Sequence, residues 1–600
     1  MLRKAPGATA VALLSLALGL SVNTTVFSWV RSVLLNPLPG VADSDRIVTI
    51  ETVAPSGEMI DTSYPDYRDY RDRSTLLDGV IAFKERPLGL GADARTDRVW
   101  ALMVSGNYFD VLGLMPAIGR FFEGAEQSDA FDAAPVAVIG HAMWKTRFGG
   151  DPAIVGRRIV LNRHPYTVIG VAPEAFAGTI TGLRFDLYVP LTMQASLTGG
   201  GQWLSIRAAR PLYLFARLKP GVEIDRARAE VQAIAASMAR DYANTNRGIS
   251  ATMLTQANAR RGVQSDLGQL LRILLALGGF VLLIVCANVA NLQLARATVR
   301  EREIAIRLGL GAGRSRLLRQ LLTESVVLGL AAGGVAVLAS AWLVETLRLF
   351  TPFIEYPIAL APSIGLREIA FAGSAAIAAA LLVGIWPALR LSDGRLADVL
   401  KTGGRQGGAD RRTGALRGAL VVGEIALAMF ALAAAGLLAR SFENARRADP
   451  GFDASRVLLS GVNLSTGGYD RGGGLAYLRR VLEQTAPLPG VAAVSMSEDV
   501  PLGFSGGSWE DLAIEGYTPA ASENMKIYRN LVSPGYFSLV QIPLLEGRDF
   551  TTNDDRSAPM IAVVNDEFAR RYYRGASPIG RRFQAVGVPH TIVGMVKTTK

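Results

Sequence analysis

Six hundred residues would ordinarily mean about four soluble domains, but half of them are apolar, 19% are charged and the mean hydropathy is +0.26. Soluble domains carry about a quarter charged residues, so a wholly soluble chain is excluded; disorder is excluded too, because this much apolar surface is ample for packed cores. A single cysteine, Cys286, rules out an intramolecular disulfide framework, and three histidines beside it (His141, His164, His590) are too few for most zinc sites.

The net charge of +11 is confined to three short segments. Residues 1–7 carry +2 from Arg3 and Lys4. Residues 292–319 carry +5, seven arginines against Glu301 and Glu303. Residues 390–417 carry +4, seven basic residues against Asp393, Asp398 and Asp410. Together they hold the whole excess, and each abuts an apolar run. That is the positive-inside pattern of a membrane protein; a nucleic-acid surface would set its basic residues on a folded face with no reason to border apolar runs.

Five stretches are long enough to span about 30 Å of hydrocarbon, which takes about 20 helical residues. Ala8–Val30 follows the basic start and reads as an uncleaved anchor, having no clean small-x-small cleavage site. Ile273–Ala290 has Asn288 as its one strongly polar residue, with Asn291 just beyond. Val326–Leu343 and Ile369–Leu389 carry no charge, and Ala419–Ala439 carries one, Glu424. The basic segments then face the cytoplasm. Residues 344–368, net −1, and the large balanced segments 31–266 and 441–600 face outside. In the third span Gly329-x-x-x-Gly333, Ala336, Ala339 and Ser340 would let helix backbones approach closely; packing within the chain and a dimer seam are both open. Glu424, one turn into the fifth span, either snorkels or pairs with Arg417, or it contacts an ion or substrate.

The two outer segments repeat one another. Val104–Phe109 recurs at Val532–Phe537 and Gly119–Phe122 at Gly547–Phe550, both offset by 428; Gly156–Arg158 recurs at Gly580–Arg582 and Tyr166–Gly170 at His590–Gly594, both offset by 424. Four ordered matches indicate a duplication. At the second offset Lys600 corresponds to residue 176, so the chain is expected to be a fragment of a protein of about eight spans, or an unusual variant. Within the outer segments Ile47–Thr52 and Val136–Ile139 predict strands, Asp66–Ile81 a helix, and Gly221–Asn244 a turn and an amphipathic helix burying Val231, Ile234, Ala235 and Met238. The runs Gly199–Gly201 and Gly472–Gly474 predict loops.

Several stretches in fixed order carry a family resemblance. They are Gly19–Ser28 followed by Pro37-Leu38-Pro39; Cys286–Leu292 with Ala295-Arg296; Arg302–Ala312; Pro387–Arg390 with Leu400-Lys401; and Asp449–Asp453. One span, a large outer domain and three spans resemble the FtsX-like permeases, and the outer domain resembles the periplasmic core domain of MacB-type transporters, in a duplicated, acidobacterial-type form. The resemblance implies an α-helical membrane protein with mixed α/β extracytoplasmic domains. Its parts would be an anchor (1–30), a first periplasmic core domain (31–266), a three-helix FtsX-like domain (267–400), a cytoplasmic linker (401–418), a fifth span (419–440) and an incomplete second core domain (441–600). It implies a bacterial inner-membrane permease subunit of an ABC-type efflux or mechanotransmission system, with a separate cytoplasmic ABC ATPase and membrane lipid as partners, and a homodimer or a pseudo-dimer of the two repeats. The alternative is a non-transporting sensor or scaffold binding an envelope partner.

No enzyme activity, cofactor, metal or nucleic-acid partner is expected. The chain contains no Gly-Lys pair and so no GxxxxGK[ST] phosphate loop. Gly309-x-Gly311-x-Gly313 follows a helical segment rather than a strand and reads as the turn into the third span. On the resemblance, Arg300, Glu301, Arg302, Glu303, Ile304 and Arg307 are the ATPase-coupling segment, against the plainer reading of a loop that only fixes topology. Asn288, Asn291 and Glu424 are the intramembrane polar candidates.

Overall fold

The computed structural model describes residues 6–35, 38–91, 96–198, 203–309, 314–348, 364–392, 409–447 and, with short interruptions, 449–599; at 8, 266, 293–309, 314–315, 317–318, 321, 347–348, 385–392, 409–417, 419–420, 471 and 507–509 it describes backbone only. Two compact units result: one of residues 1–45, 175–185 and 255–443, and one of 46–174, 186–254 and 444–600.

The first unit is helical. Its apolar helices are Thr9–Leu35, Leu267–Leu292, Leu322–Thr346, Leu366–Gly384 and Val421–Arg447, each long enough to cross a bilayer. The first four pack around one seam of Ala12, Leu16, Leu20, Cys286, Val289, Ala332, Ala336, Ala376 and Val383. The small residues in that seam set the spacing. A β-carbon on Gly329 would lie 2.8 Å from both the Ala376 carbonyl and the Ala380 methyl, and one on Gly333 would lie 3.1 Å from the Ala376 methyl. The Gly329-x-x-x-Gly333 motif therefore joins the third and fourth helices of one chain. The second helix belongs to a continuous segment, Val263–Gly309, 47 residues long.

The second unit holds the mixed α/β sheets expected. In the first outer segment the strands are β1 (Ile47–Val53), β2 (Met59–Ile60), β3 (Leu77–Leu90), β4 (Asp97–Val104), β5 (Ile118–Gly119), β6 (Val136–Ile139), β7 (Arg158–Leu161), β8 (His164–Val171), β9 (Leu187–Pro190), β10 (Tyr213–Leu218) and β11 (Ser250–Thr255). They form one sheet in the order β11-β1-β10-β3-β4-β9-β6-β8-β5, with β2 beside β1 and β7 beside β3 and β8. β9 joins its two halves, parallel to β4 and antiparallel to β6. All four β9 residues are buried. Helix Ile224–Asp241 covers the sheet with the Val231, Ile234, Ala235 and Met238 face the sequence predicts.

Two expectations need correction. The helix read at 66–81 spans Tyr64–Arg73, capped by the Ser63 hydroxyl, which accepts from Asp66 N at 3.2 Å. It stops because Glu230 takes the next amides, accepting from Thr75 N at 2.8 Å and Leu76 N at 3.1 Å. Val80 and Ile81 then pair with Ala216 and Phe215 of β10, so tertiary pairing of β-branched residues overrides the helical pattern. Gly472–Gly474 are not a loop but begin helix Arg471–Thr485, where a side chain on Gly474 would crowd Leu464 at 3.0 Å. Gly199–Gly201 lie outside the described residues.

The second outer segment has β12 (Gly507–Trp509), β13 (Leu512–Ile514), β14 (Ile527–Arg529), β15 (Leu544–Gly547), β16 (Ile561–Asn565), β17 (Arg582–Ala585) and β18 (Val588–Val596). β16 runs parallel to β18 while β15 and β17 run antiparallel to it, as β6, β5 and β7 do around β8. The same bulge recurs, between Ala137 and Val138 and between Ala562 and Val563. The duplication is thus visible in strand register.

Candidate functional site

The first helix carries an unusual density of polar residues for a membrane span: Ser21, Asn23, Thr24, Thr25 and Ser28 are all buried. A polar group inside hydrocarbon must find a partner or cost several kcal/mol. Asn23 Nδ2 donates to the Gly19 carbonyl one turn back and to the Gly278 carbonyl of the second helix, both at 2.8 Å. Gly278 must be glycine for this approach, since a β-carbon there would lie 2.9 Å from Asn23 Oδ1. Ser340 Oγ of the third helix donates to the Ser21 carbonyl at 3.1 Å. Interhelical hydrogen bonds of this kind contribute about 0.6 kcal/mol each. The hydroxyls of Thr24 and Thr25 are enclosed without a hydrogen-bond partner among the described residues.

Further along the same helix Phe27 stacks on Phe371 of the fourth helix, centroids 4.0 Å apart. One turn on, Arg31 Nη1 donates to Glu368 Oε1 at 2.5 Å, and Glu368 Oε2 accepts from Gly365 N at 2.9 Å. Glu368 is 1% exposed. Arg31 opens a π-helical turn, Arg31–Leu35, a distortion that tends to mark functional positions. Hydropathy alone leaves Glu368 in the outer 344–368 segment; it lies in the first turn of the fourth helix, and the pair clamps the first helix to the fourth. Reading spans as apolar windows misses it, because Arg31 and Glu368 fall just outside their windows and 337 residues apart. Asn23 was missed in a different way, as one polar residue diluted by its apolar neighbours.

The sequence-derived residues are distributed otherwise. Asn288 is exposed; Asn291, three residues on, is half-buried with its Oδ1 enclosed and unpartnered among the described residues. Glu424 is half-exposed on the fifth helix, which meets the second through Phe430 edge-on to Phe280, centroids 5.4 Å apart. Arg417's side chain lies outside the described residues. Arg300, Glu301, Arg302, Glu303, Ile304 and Arg307 are on the continuing helix of the second span, Val263–Gly309, rather than in a loop, and their side chains lie outside the described residues. The turn expected at 309–313 falls outside them too, apart from Gly309. Among the described residues no cluster of His, Cys, Asp or Glu could hold a metal ion.

In the outer segments each copy builds the same staple. Arg120 holds Glu126 through two hydrogen bonds of 2.7 and 2.8 Å, and Arg548 holds Asp554 through two of 2.7 and 2.8 Å. Those arginines pull both carboxyls below the usual carboxylate range. Beside each staple the backbone crosses too closely for any side chain. A β-carbon on Gly170 would lie 2.2 Å from the Arg120 carbonyl and one on Gly594 2.3 Å from the Arg548 carbonyl.

Comparison with known proteins agrees with this architecture. The family profile of the MacB-like periplasmic core domain matches residues 9–234 and again 419–600, and that of the FtsX-like permease C-terminal region matches 275–394. The chain is 27% identical over 259 residues to the macrolide export ATP-binding/permease protein MacB of Salmonella typhi, covering 43% of this chain and 37% of that protein. It is 30% identical over 266 residues to the protein of the same description from Escherichia coli K12, covering 43% and 38%. The chain thus spans well under half the length of these relatives. Among solved structures, the periplasmic region of MacB from Actinobacillus actinomycetemcomitans matches at 14% identity and TM-score 0.27, covering 38% of this chain and 92% of that one. The extracellular domain of the noncanonic ABC-type transporter YknZ matches at 15% and 0.26, covering 34% and 99%. Core-domain matches on both sides of the permease match identify a multi-pass inner-membrane protein with periplasmic domains. The chain belongs to the FtsX-like permeases with MacB-like periplasmic core domains, in duplicated form, and is a permease component of the ABC-transporter type.

Proposed function

We propose that this permease passes the work of a separate cytoplasmic ATPase to its periplasmic segments, and so serves efflux or mechanotransmission. The observation that carries the reading is the unbroken helix Val263–Gly309. At 1.5 Å per residue it is about 70 Å long, more than twice the hydrocarbon thickness. One rigid element therefore runs from the segment next to the first core domain, through the second span, into the arginine-rich stretch. The relatives are described as ATP-binding/permease proteins, and the 600 residues here hold no phosphate loop; in this reading the nucleotide is handled by a partner ATPase. Arg300, Ile304 and Arg307 recur at helical spacing near the end of the rod, where a groove on an ATPase could grip them.

The test is Ile304→Asp combined with Arg307→Glu. An unpaired charge forced into a packed contact costs several kcal/mol, and each 1.4 kcal/mol is tenfold in affinity. Copurification of the cognate ATPase should fall at least a hundredfold, with membrane insertion unchanged. Matched changes in the 403–408 stretch should do little. Normal ATPase recovery by the double variant would reduce 300–307 to a topology signal.

A further inference from the structure

We infer that the loop between β8 and β9 is a strap by which the outer ends of the membrane helices grip the middle of the core sheet. Within the first copy the chain passes between the two units at three places. The first helix leads through residues 31–45 into β1, and β11 leads through residues 256–262 into the long helix Val263–Gly309. β1 and β11 are neighbours at one end of the sheet, so these two links hold that end alone. The third passage lies inside the core domain's own sequence. Residues 175–185 belong to the helical unit, although β8 before them and β9 after them belong to the other.

The loop is closed on itself in the manner of an Ω-loop. Phe185 N donates to the Ala177 carbonyl at 3.0 Å, and Leu183 N to the Ile180 carbonyl at 3.1 Å. The Phe185 ring fills the place of a side chain at Gly178: a β-carbon there would lie 2.5 Å from it, and Gly178 sits at φ +129°, a conformation open to glycine. Phe176, Thr179, Ile180, Thr181 and Phe185 are all buried. Two seats on the helical unit hold the loop. Val263, the first residue of the long helix, donates its N–H to the Thr181 carbonyl at 3.1 Å, which satisfies one of the amides a helix start leaves unpaired. Gly40, beyond the first helix, lies against the other end of the loop. A β-carbon on it would stand 3.2 Å from the Ala175 methyl and 3.4 Å from Phe176 N.

The strap runs straight into the strand that joins the two halves of the sheet. Asp186, the residue after it, is bonded to both halves. Its N–H donates to the Trp100 carbonyl at 2.8 Å and its carboxylate accepts from Trp100 N at 2.8 Å, on the β4 side; its carbonyl accepts from Gly140 N at 2.7 Å, beyond β6. Held at β1 and β11 alone, the sheet would follow the helices as one rigid body. Held at β9 as well, it is gripped in both halves, and a shift at the start of the long helix flexes it about the β4–β9 seam. The inference rests on the reading that this helix is driven from its cytoplasmic end, and it adds the route by which that motion divides the core domain.

Hydrogen exchange in the full chain tests the strap. Val263→Pro removes the N–H that binds Thr181, at a helix position where proline is well tolerated. Amides of β6, β8 and β9 should then exchange about tenfold faster, the scale of one lost hydrogen bond. Those of β1 and β11 should not change, although β11 ends at Thr255, far nearer in the chain. Phe176→Ala, which leaves every backbone bond in place, should give the same pattern more weakly. In a Cys286→Ser background, a disulfide between Gly40→Cys and Ala175→Cys should restore protection to the Val263→Pro variant, and reduction should abolish it again. Loosening confined to β1 and β11, no loosening in either variant, or a disulfide that forms without restoring protection would each overturn the strap. No arm involves the ATPase, so this inference and docking at 300–307 fail separately.

Discussion

The two copies of the core domain share one local motif and differ in what is built around it. Around β8 and around β18 the chain builds the same parallel pair, the same bulge, the same glycine crossing and the same arginine–carboxylate staple. In the first copy β9 and β10 then tie these strands into one sheet over a large core. In the second, the described strands form a two-stranded and a five-stranded sheet, with Leu544, Leu545 and Met560 exposed. The leading helices differ in the same way: the first span lies in a polar, clamped seam, whereas the fifth exposes Val422, Met429, Leu432 and Leu437. The local motif is thus specified within each copy, and in the first copy β9 and β10 join it to the rest of the sheet.

The sharpest way to break this comparison is to unclamp the first copy. Glu368→Ala removes the partner of a half-buried Arg31 guanidinium and should cost about 2 kcal/mol, below the 3–5 of a fully buried pair. That would appear as a clear fall in the melting temperature of the purified protein in detergent, with Glu368→Gln milder. An unchanged melting temperature would mean the pair does not hold the first helix.

A comparable effect separates the sheets. Gly170→Ala and Gly594→Ala drive a methyl into equivalent carbonyls, and overpacking of this kind costs about 1–3 kcal/mol. Hydrogen exchange should show the first substitution loosening β3, β4, β9 and β10 together, because one sheet transmits it. The second should loosen only β15–β18. Equal spread in both copies would show that the second sheet is as cooperative as the first.

The smallest effect should be the same in both copies. Arg120→Ala removes an exposed pair worth under about 1 kcal/mol, and Arg548→Ala should act in the same direction. Glu126 and Asp554 sit below their ordinary values of 4.5 and 3.8, so the folded state binds fewer protons than the unfolded one. Each staple therefore contributes fully above those values and is lost as pH falls through the lower folded ones. The gap between wild type and either alanine variant should begin to narrow below about pH 4 and close only as each folded carboxyl protonates, further down for Asp554. A gap that persists there would assign the effect to packing.

Much of this organisation was legible in the sequence because it is written in short range. Apolar windows located the five membrane helices, and ordered matches at two offsets exposed the duplication. What escaped depends on partners far away. Glu230 ends a helix that the local pattern would have continued, Glu368 finds Arg31 across 337 residues, and Gly472–Gly474 read as a loop until Leu464 packs on Gly474. Polar residues within apolar runs misled most. Asn288 stood out by contrast yet is exposed, while Asn23, less conspicuous, makes the bond between helices.

The unbroken helix through the second span has a mechanical consequence. A rod about 70 Å long turns angle into distance: tilting it by about 5° about one end carries the other end about 6 Å. A displacement smaller than one helical turn at Ile304 would then suffice to swing the opposite end by a comparable amount if the pivot sat near the bilayer midplane. Polar contacts such as Asn23 to Gly278, which grip this helix about a third of the way from Val263, would serve as a fulcrum that returns over half of the displacement at Ile304.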